Sequence, residues 1–247
     1  MISLMHARRV GLVVLLGLAS ARSSAGAQAS SSPRAPTAAQ LRAILRNPAH
    51  PHWKAKAPDT VQFDMETSKG TMTVELIRAW APHGVDRFYN LARAGFYDDQ
   101  RFYRVILRFI AQFGIAANPL VNNTWGSRKL PVDSVRTSNT RGTITFAQYN
   151  PGNRTTNVFI NLSDNAALDT LGFAPIGRVI GGMEAADSLH FGYGELPSSP
   201  APLGNPKRLY AETNKFLDAE YPKLDRILRV VLREAPKPGP APATGRP

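Results

Sequence analysis

The stretch Phe102-Tyr-Arg-Val-Ile-Leu-Arg-Phe-Ile-Ala-Gln112 sets a cation, Arg104, in the middle of an apolar strand. Side chains alternate across a strand, so Phe102, Arg104 and Ile106 are expected on one face and Tyr103, Val105 and Leu107 on the other. An arginine flanked by Phe and Ile on its own face has two readings. It can snorkel at a rim or sit in a partly apolar pocket. It can equally be the cation of a structural ion pair, since such charges are seldom buried unpaired.

Outward from this stretch the chain reads as short strands with few helices. On the N-terminal side, Val61, Phe63 and Met65 alternate with polar residues, as do Met72, Val74 and Leu76, and Ser68-Lys69-Gly70 between them signals a hairpin. Pro82 opens an amphipathic helix with Val85, Phe88, Leu91 and Ala92 on one face and Gly95 at its close. On the C-terminal side, residues 114–141 lack periodicity and are expected to form a long loop, functional or ordered on the core. Strands follow at Gly142–Ala147, Val158–Leu162 and Ile176–Val179, then a short helix from Met183 to Leu189. A Pro- and Ser-rich loop from Leu196, a helix from Leu209 to Leu217 and a last strand from Ile227 to Leu232 complete the pattern. Such a pattern without regular strand–helix–strand alternation predicts a mainly β fold, a closed barrel plugged by helices.

The ends read differently. Arg8 and Arg9 precede an apolar run from Val10 to Ala19, and Ala25-Gly26-Ala27 offers a small-x-small cleavage pattern, so residues 1–27 are expected to be a signal peptide. The run is too short for a membrane anchor. The mature chain is then expected to start near Gln28 and to be exported, to the periplasm or outside the cell, without stable membrane insertion. Residues 28–60 read as a linker with a short helix around Leu41, Ile44 and Leu45, and residues 235–247 as a disordered Pro-rich tail.

Composition removes several function classes. The chain has no cysteine, which excludes disulfides, thiol catalysis and zinc ribbons. Its five histidines fit no HExxH or facial-triad spacing, and His50 with His52 falls short of the usual three or four ligands. There is no GxSxG elbow and no P-loop, so neither metal nor cofactor is expected. The net charge of +12 invites a nucleic-acid reading. However, residues 61–195 hold 13 Lys+Arg against 12 Asp+Glu, so the excess lies at the chain's edges rather than on the folded core. No nucleic-acid partner is expected.

Several blocks, in order, resemble the cyclophilin family. Phe102-Tyr103-Arg104-Val105-Ile106 with Phe109-Ile110-x-Gln112 is similar to its F-H-R-x-I/V-x-x-F-M/V-x-Q-G-G signature. Phe146-Ala147-Gln148, Thr156-Asn157-Val158-Phe159-Ile160, Leu168-Asp169 through Phe173 to Val179, and Gly182-Met183-Glu184 resemble later blocks, so the similarity runs from about Val61 to Gly194. The resemblance implies a closed eight-stranded antiparallel barrel capped by helices, spanning residues 61–234, with an insertion at 195–226 before the last strand. It implies a peptidyl-prolyl cis–trans isomerase acting on proline-containing polypeptides, and a monomer is expected. Arg104 matches the catalytic arginine. Phe109, Ile110, Phe159 and Leu168 match the proline pocket, Gln112 the glutamine beside the arginine, and Ala147 with Gln148 the peptide contacts. Asn157 and Phe173 complete the implied substrate site. The chain departs from the family at Phe113 and Ile115, at Asn157 where a glutamine is usual, and at Ala167 where many members have tryptophan. Phe113 and Asn157 keep a second reading open, a proline-peptide-binding chaperone module with little or no turnover.

The implied chemistry needs no nucleophile. Rotation about an X–Pro bond meets a barrier of roughly 18–20 kcal/mol from amide resonance, while the two isomers differ by only about 0.5–1 kcal/mol. As the amide twists, the prolyl nitrogen gains a lone pair that can accept a hydrogen bond. A fixed guanidinium therefore binds the twisted form better than the planar one.

Overall fold

The computed structural model describes residues 36–194 and 202–233. The expected signal peptide, the Pro-rich tail and the first part of the expected insertion, residues 195–201, lie outside the described residues.

In chain order the elements are α1 (Ala38–Arg46), β1 (Thr60–Thr67), β2 (Gly70–Ile77), α2 (Pro82–Arg93), β3 (Gln100–Arg101), β4 (Arg104–Ile106) and β5 (Ile110–Phe113). Then come α3 (Pro119–Gly126), β6 (Thr143–Phe146), β7 (Val158–Asn161), α4 (Ala167–Thr170), β8 (Pro175–Gly181), α5 (Met183–Asp187), α6 (Pro206–Glu212), α7 (Asn214–Glu220) and β9 (Arg226–Leu232). The hairpin β1–β2 turns tightly with Thr67 opposite Gly70. Gly70 has φ +121°, a conformation L side chains rarely adopt. Alternation sends Phe63, Met65, Met72, Val74 and Leu76 fully inside. Against them α2 lays Val85, Phe88 and Leu91, with Phe88 stacked on Tyr97 at 4.5 Å.

The expected closed eight-stranded barrel is not what forms. Nine strands make one open half-barrel in the order β3-β9-β1-β2-β8-β6-β7-β5-β4, and its edge strands β3 and β4 do not pair with each other. The reason lies in the deciding stretch. The backbone up to Phe102 bonds to the β9 side, with Gln100 opposite Ile227 and the Phe102 N–H donating to the Asp225 carbonyl at 2.9 Å. From Arg104 onward it pairs with β5 instead. Of the expected strand from Phe102 to Leu107 only β4 forms, Phe102 and Tyr103 lie between β3 and β4, and the chain crosses from one sheet edge to the other at Tyr103. This crossing also overturns the expected facing of Phe102 with Arg104. Phe102 is fully buried in the core, 5.5 Å from the Phe113 ring, while Arg104 is half-buried in a cleft.

Two other differences concern helices. The expected loop 114–141 contains α3, capped by Asn118, whose Oδ1 accepts from Leu120 N–H at 2.9 Å, with Pro119 opening the helix. The rest of that loop is held by Asp133, buried between Arg154 at 3.1 Å and the first N–H groups of α2, from His83 and Gly84. The expected helix 209–217 is instead two, broken at Thr213 with φ +48°. Within the expected linker, residues 38–54 pack on the body: Leu45 is in the core and Trp53 meets Trp125 of α3 at 4.4 Å.

A second, smaller apolar cluster joins Tyr103 and Ile115 to Leu209, Phe216, Leu217 and Tyr221. Thr213 pins it further, donating from Oγ1 to the Ala117 carbonyl at 2.7 Å.

Candidate functional site

Strand register builds one wall of the cleft. Arg104 on β4 lies opposite Gln112 on β5, and Gln112 lies opposite Phe159 on β7. With a side-chain period of two, Ile110 and Gln112 point one way while Ala111 and Phe113 enter the core. Phe113, the departure from the family signature, therefore lies against Phe102 and Tyr97 and not in the cleft. Gly114 after it keeps the strand close to residues 156 and 157, because a Cβ there would collide with the Thr156 carbonyl and the Asn157 backbone.

The other wall is α4 and the turn after it. These present Leu168 and Phe173, and Phe173 sits edge-on to Phe159 at 5.9 Å. Asp169 anchors this wall, accepting from Ser138 Oγ at 2.5 Å and from Asn139 N and Nδ2 at 2.9 and 2.7 Å. Asn139 Nδ2 also donates to the Phe173 carbonyl at 2.8 Å. Between the walls lies a cavity of about 800 Å³.

All ten residues singled out from the sequence line this one cavity. Phe109, Ile110, Phe159, Leu168 and Phe173 form its apolar part. Ala147 borders it, but its N–H donates to the Asn157 carbonyl at 2.9 Å, so only its carbonyl side is offered. The Gln148 amide donates to the carbonyls of Leu171 and Gly172 at 3.2 and 3.0 Å and so braces the Phe173 turn. Arg104 Nη1 donates to Gln112 Oε1 at 3.1 Å, which aims the guanidinium across the cleft. Burial lowers its pKa from the ordinary arginine value, with Tyr103 and Tyr149 opposing that shift. An arginine so placed still carries its charge at neutral pH.

The sequence reading missed part of the lining. Tyr103 had been set on the opposite strand face, yet it shares this cavity with Arg104. The α3 residues Asn122 and Asn123 and the α6 side of the chain, Leu203 and Tyr210, extend the cleft beyond the apolar part. Asn118-Pro119 was the local signal for α3, since Asn caps and Pro opens helices. No local signal points to Tyr210, whose place depends on α6 docking against α3 through Asn122 Nδ2 and the Tyr210 carbonyl at 3.0 Å. No cluster of His, Asp and Glu able to hold a metal occurs among the described residues.

A peptidyl-prolyl cis-trans isomerase of Acinetobacter baylyi is 31% identical over 140 residues, covering 55% of this chain and 74% of that protein. A Dickeya dadantii protein of that name is 33% identical over 165 residues, covering 58% and 82%. The solved structure of a Cryptosporidium parvum cyclophilin superposes with a TM-score of 0.53 at 20% identity, over 72% of this chain and 99% of that one. The family model described as cyclophilin type peptidyl-prolyl cis-trans isomerase/CLD matches residues 62–203, more than half of the chain, and these strands, this cleft and this arginine accordingly belong to a member of the cyclophilin-type peptidyl-prolyl cis-trans isomerase family.

Proposed function

We propose that this protein catalyses cis–trans isomerisation of X–Pro bonds in polypeptides, and that Arg104 supplies the catalysis. The observation that carries the reading is the juxtaposition of a braced guanidinium with an apolar wall of Ile110, Phe159, Leu168 and Phe173. The prolyl ring fits the apolar side, and burying it excludes water from the amide. The guanidinium then meets the nitrogen lone pair that appears only as resonance is lost. That contact is absent from both planar isomers, so it lowers the barrier without shifting the equilibrium. Phe109 and the backbone at Ala147 border the peptide on either side of the ring.

We also propose that the reaction takes place on exported proteins outside the cytoplasm. The support is the order of Arg8-Arg9, apolar run and Ala-Gly-Ala in the first 27 residues.

The test of the catalytic role is a protease-coupled prolyl-peptide assay on wild type, Arg104→Ala and Arg104→Lys. Wild type is expected to turn over. Arg104→Ala should stay folded by circular dichroism and lose about 10²-fold in kcat/KM, the value of one transition-state contact of roughly 3 kcal/mol. Arg104→Lys should recover little, because an ammonium lacks the fixed fork. A folded Arg104→Ala with wild-type kcat/KM would refute the mechanism. A wild type that binds these peptides with no turnover would make the protein a peptide-binding module.

A further inference from the structure

Behind Arg104 runs a chain of three side-chain hydrogen bonds. Arg104 Nη1 donates to Gln112 Oε1 at 3.1 Å, Gln112 Nε2 donates to the Tyr103 hydroxyl at 2.6 Å, and that hydroxyl donates to Asn157 Oδ1 at 3.1 Å. The direction of every bond follows from the first. A guanidinium has five N–H donors and no acceptor. Gln112 must therefore turn its oxygen to Arg104, which leaves its NH₂ for Tyr103. A hydroxyl that receives this N–H has its own proton left to give, and Asn157 must meet that proton with its carbonyl oxygen.

We infer that Tyr103 is a positioning residue whose hydroxyl passes the donor polarity of Arg104 to Asn157, so that Asn157 offers its Nδ2–H₂ to the cleft as a donor for a backbone carbonyl of the substrate. This rests on the isomerase reading of the site. Tyr103 is 1% exposed, which excludes water from competing for its hydroxyl. Burial also pushes its phenol well above the ordinary value, so the hydroxyl keeps its proton at neutral pH. Its ring is held by Ile115, Leu209 and their neighbours. Asn157 lines the cavity. The two positions also belong together chemically. A side chain one methylene shorter than the glutamine usual there has less reach and more need of a fixed orientation, and the Tyr103 hydroxyl provides it.

Two variants separate this from a packing role. Tyr103→Phe keeps the ring and removes the hydroxyl. Asn157→Asp keeps an oxygen for Tyr103 but deletes the donor. Each should lose about three- to tenfold in kcat/KM on prolyl peptides, the range for one hydrogen bond, while circular dichroism stays that of a folded protein. In ¹⁵N spectra the Asn157 side-chain amide protons should shift on adding a prolyl peptide to wild type, and should not in Tyr103→Phe. A role in packing alone would leave both readouts unchanged. A folded Tyr103→Phe or Asn157→Asp with wild-type kcat/KM overturns the inference, as does a wild-type Asn157 amide that ignores saturating peptide. Absence of turnover in wild type would instead refute the isomerase reading, and the amide titration then decides the relay by itself.

Discussion

Arg104 can stand among apolar neighbours because it donates a hydrogen bond to Gln112 and its face opens on a cleft. The Gln112 bond and the cavity locate this arginine in a cleft. Phe109 is the neighbour whose contribution is most easily isolated. It is half-buried on the turn between β4 and β5 and borders the cavity, so it contributes little to the core. Phe109→Ala should raise KM and lower kcat/KM with little change in the melting temperature. The apolar contact at stake is worth at most the ~1.5–3 kcal/mol of a fully buried side chain. Steady-state kinetics beside a melting curve check this, and unchanged kinetics in a folded protein would remove Phe109 from the site. Most cleft residues were legible because the family blocks carry them by position. The facing of Phe102 and Tyr103 was not legible, because the ladder breaks between them and β4.

At the scale of elements, the second apolar cluster holds α6 and α7. Leu209 is its fully buried centre, and the cluster includes Tyr103. Removing the Leu209 side chain leaves a cavity in a small cluster, so Leu209→Ala should cost about 2–5 kcal/mol of stability. The loss should be read by chemical denaturation. Because α6 also carries Tyr210 to the cleft and its cluster seats Tyr103, kcat/KM measured well below the unfolding transition should fall too. Wild-type stability in Leu209→Ala would mean the helices are docked by polar contacts such as Arg101–Asp218 at 2.8 Å. Sequence periodicity detects the apolar residues of these helices, but it merges them into one. The break at Thr213 comes from its hydroxyl reaching Ala117, nearly a hundred residues away in sequence.

At the scale of the whole molecule, the excess charge is a property of the ends. The core is nearly neutral, with the basic excess outside residues 61–195. If the first 27 residues direct export, N-terminal sequencing of the native protein should find a start near Gln28. An intact Met1 on a cytoplasmic species would refute that. Cleavage there lies before α1, so it should leave untouched the contacts of Leu45 and Trp53 with the body.

By itself the sequence determined the strands β1, β2, β4 and β6 to β9, the helix α2, and the residues that face one cleft. The elements follow from local alternation and capping, whose information lies within a few residues, and the cleft residues from the order and spacing of the family blocks. Only the tertiary structure decided that the sheet stays open at Tyr103, that Phe113 belongs to the core, and that Leu203 and Tyr210 reach the cleft. Each of these depends on which distant segment offers a backbone partner or an apolar surface: Asp225 for Phe102, Tyr97 for Phe113, and α3 for α6. Such partnerships are set by packing the whole chain at once, and no local period records them.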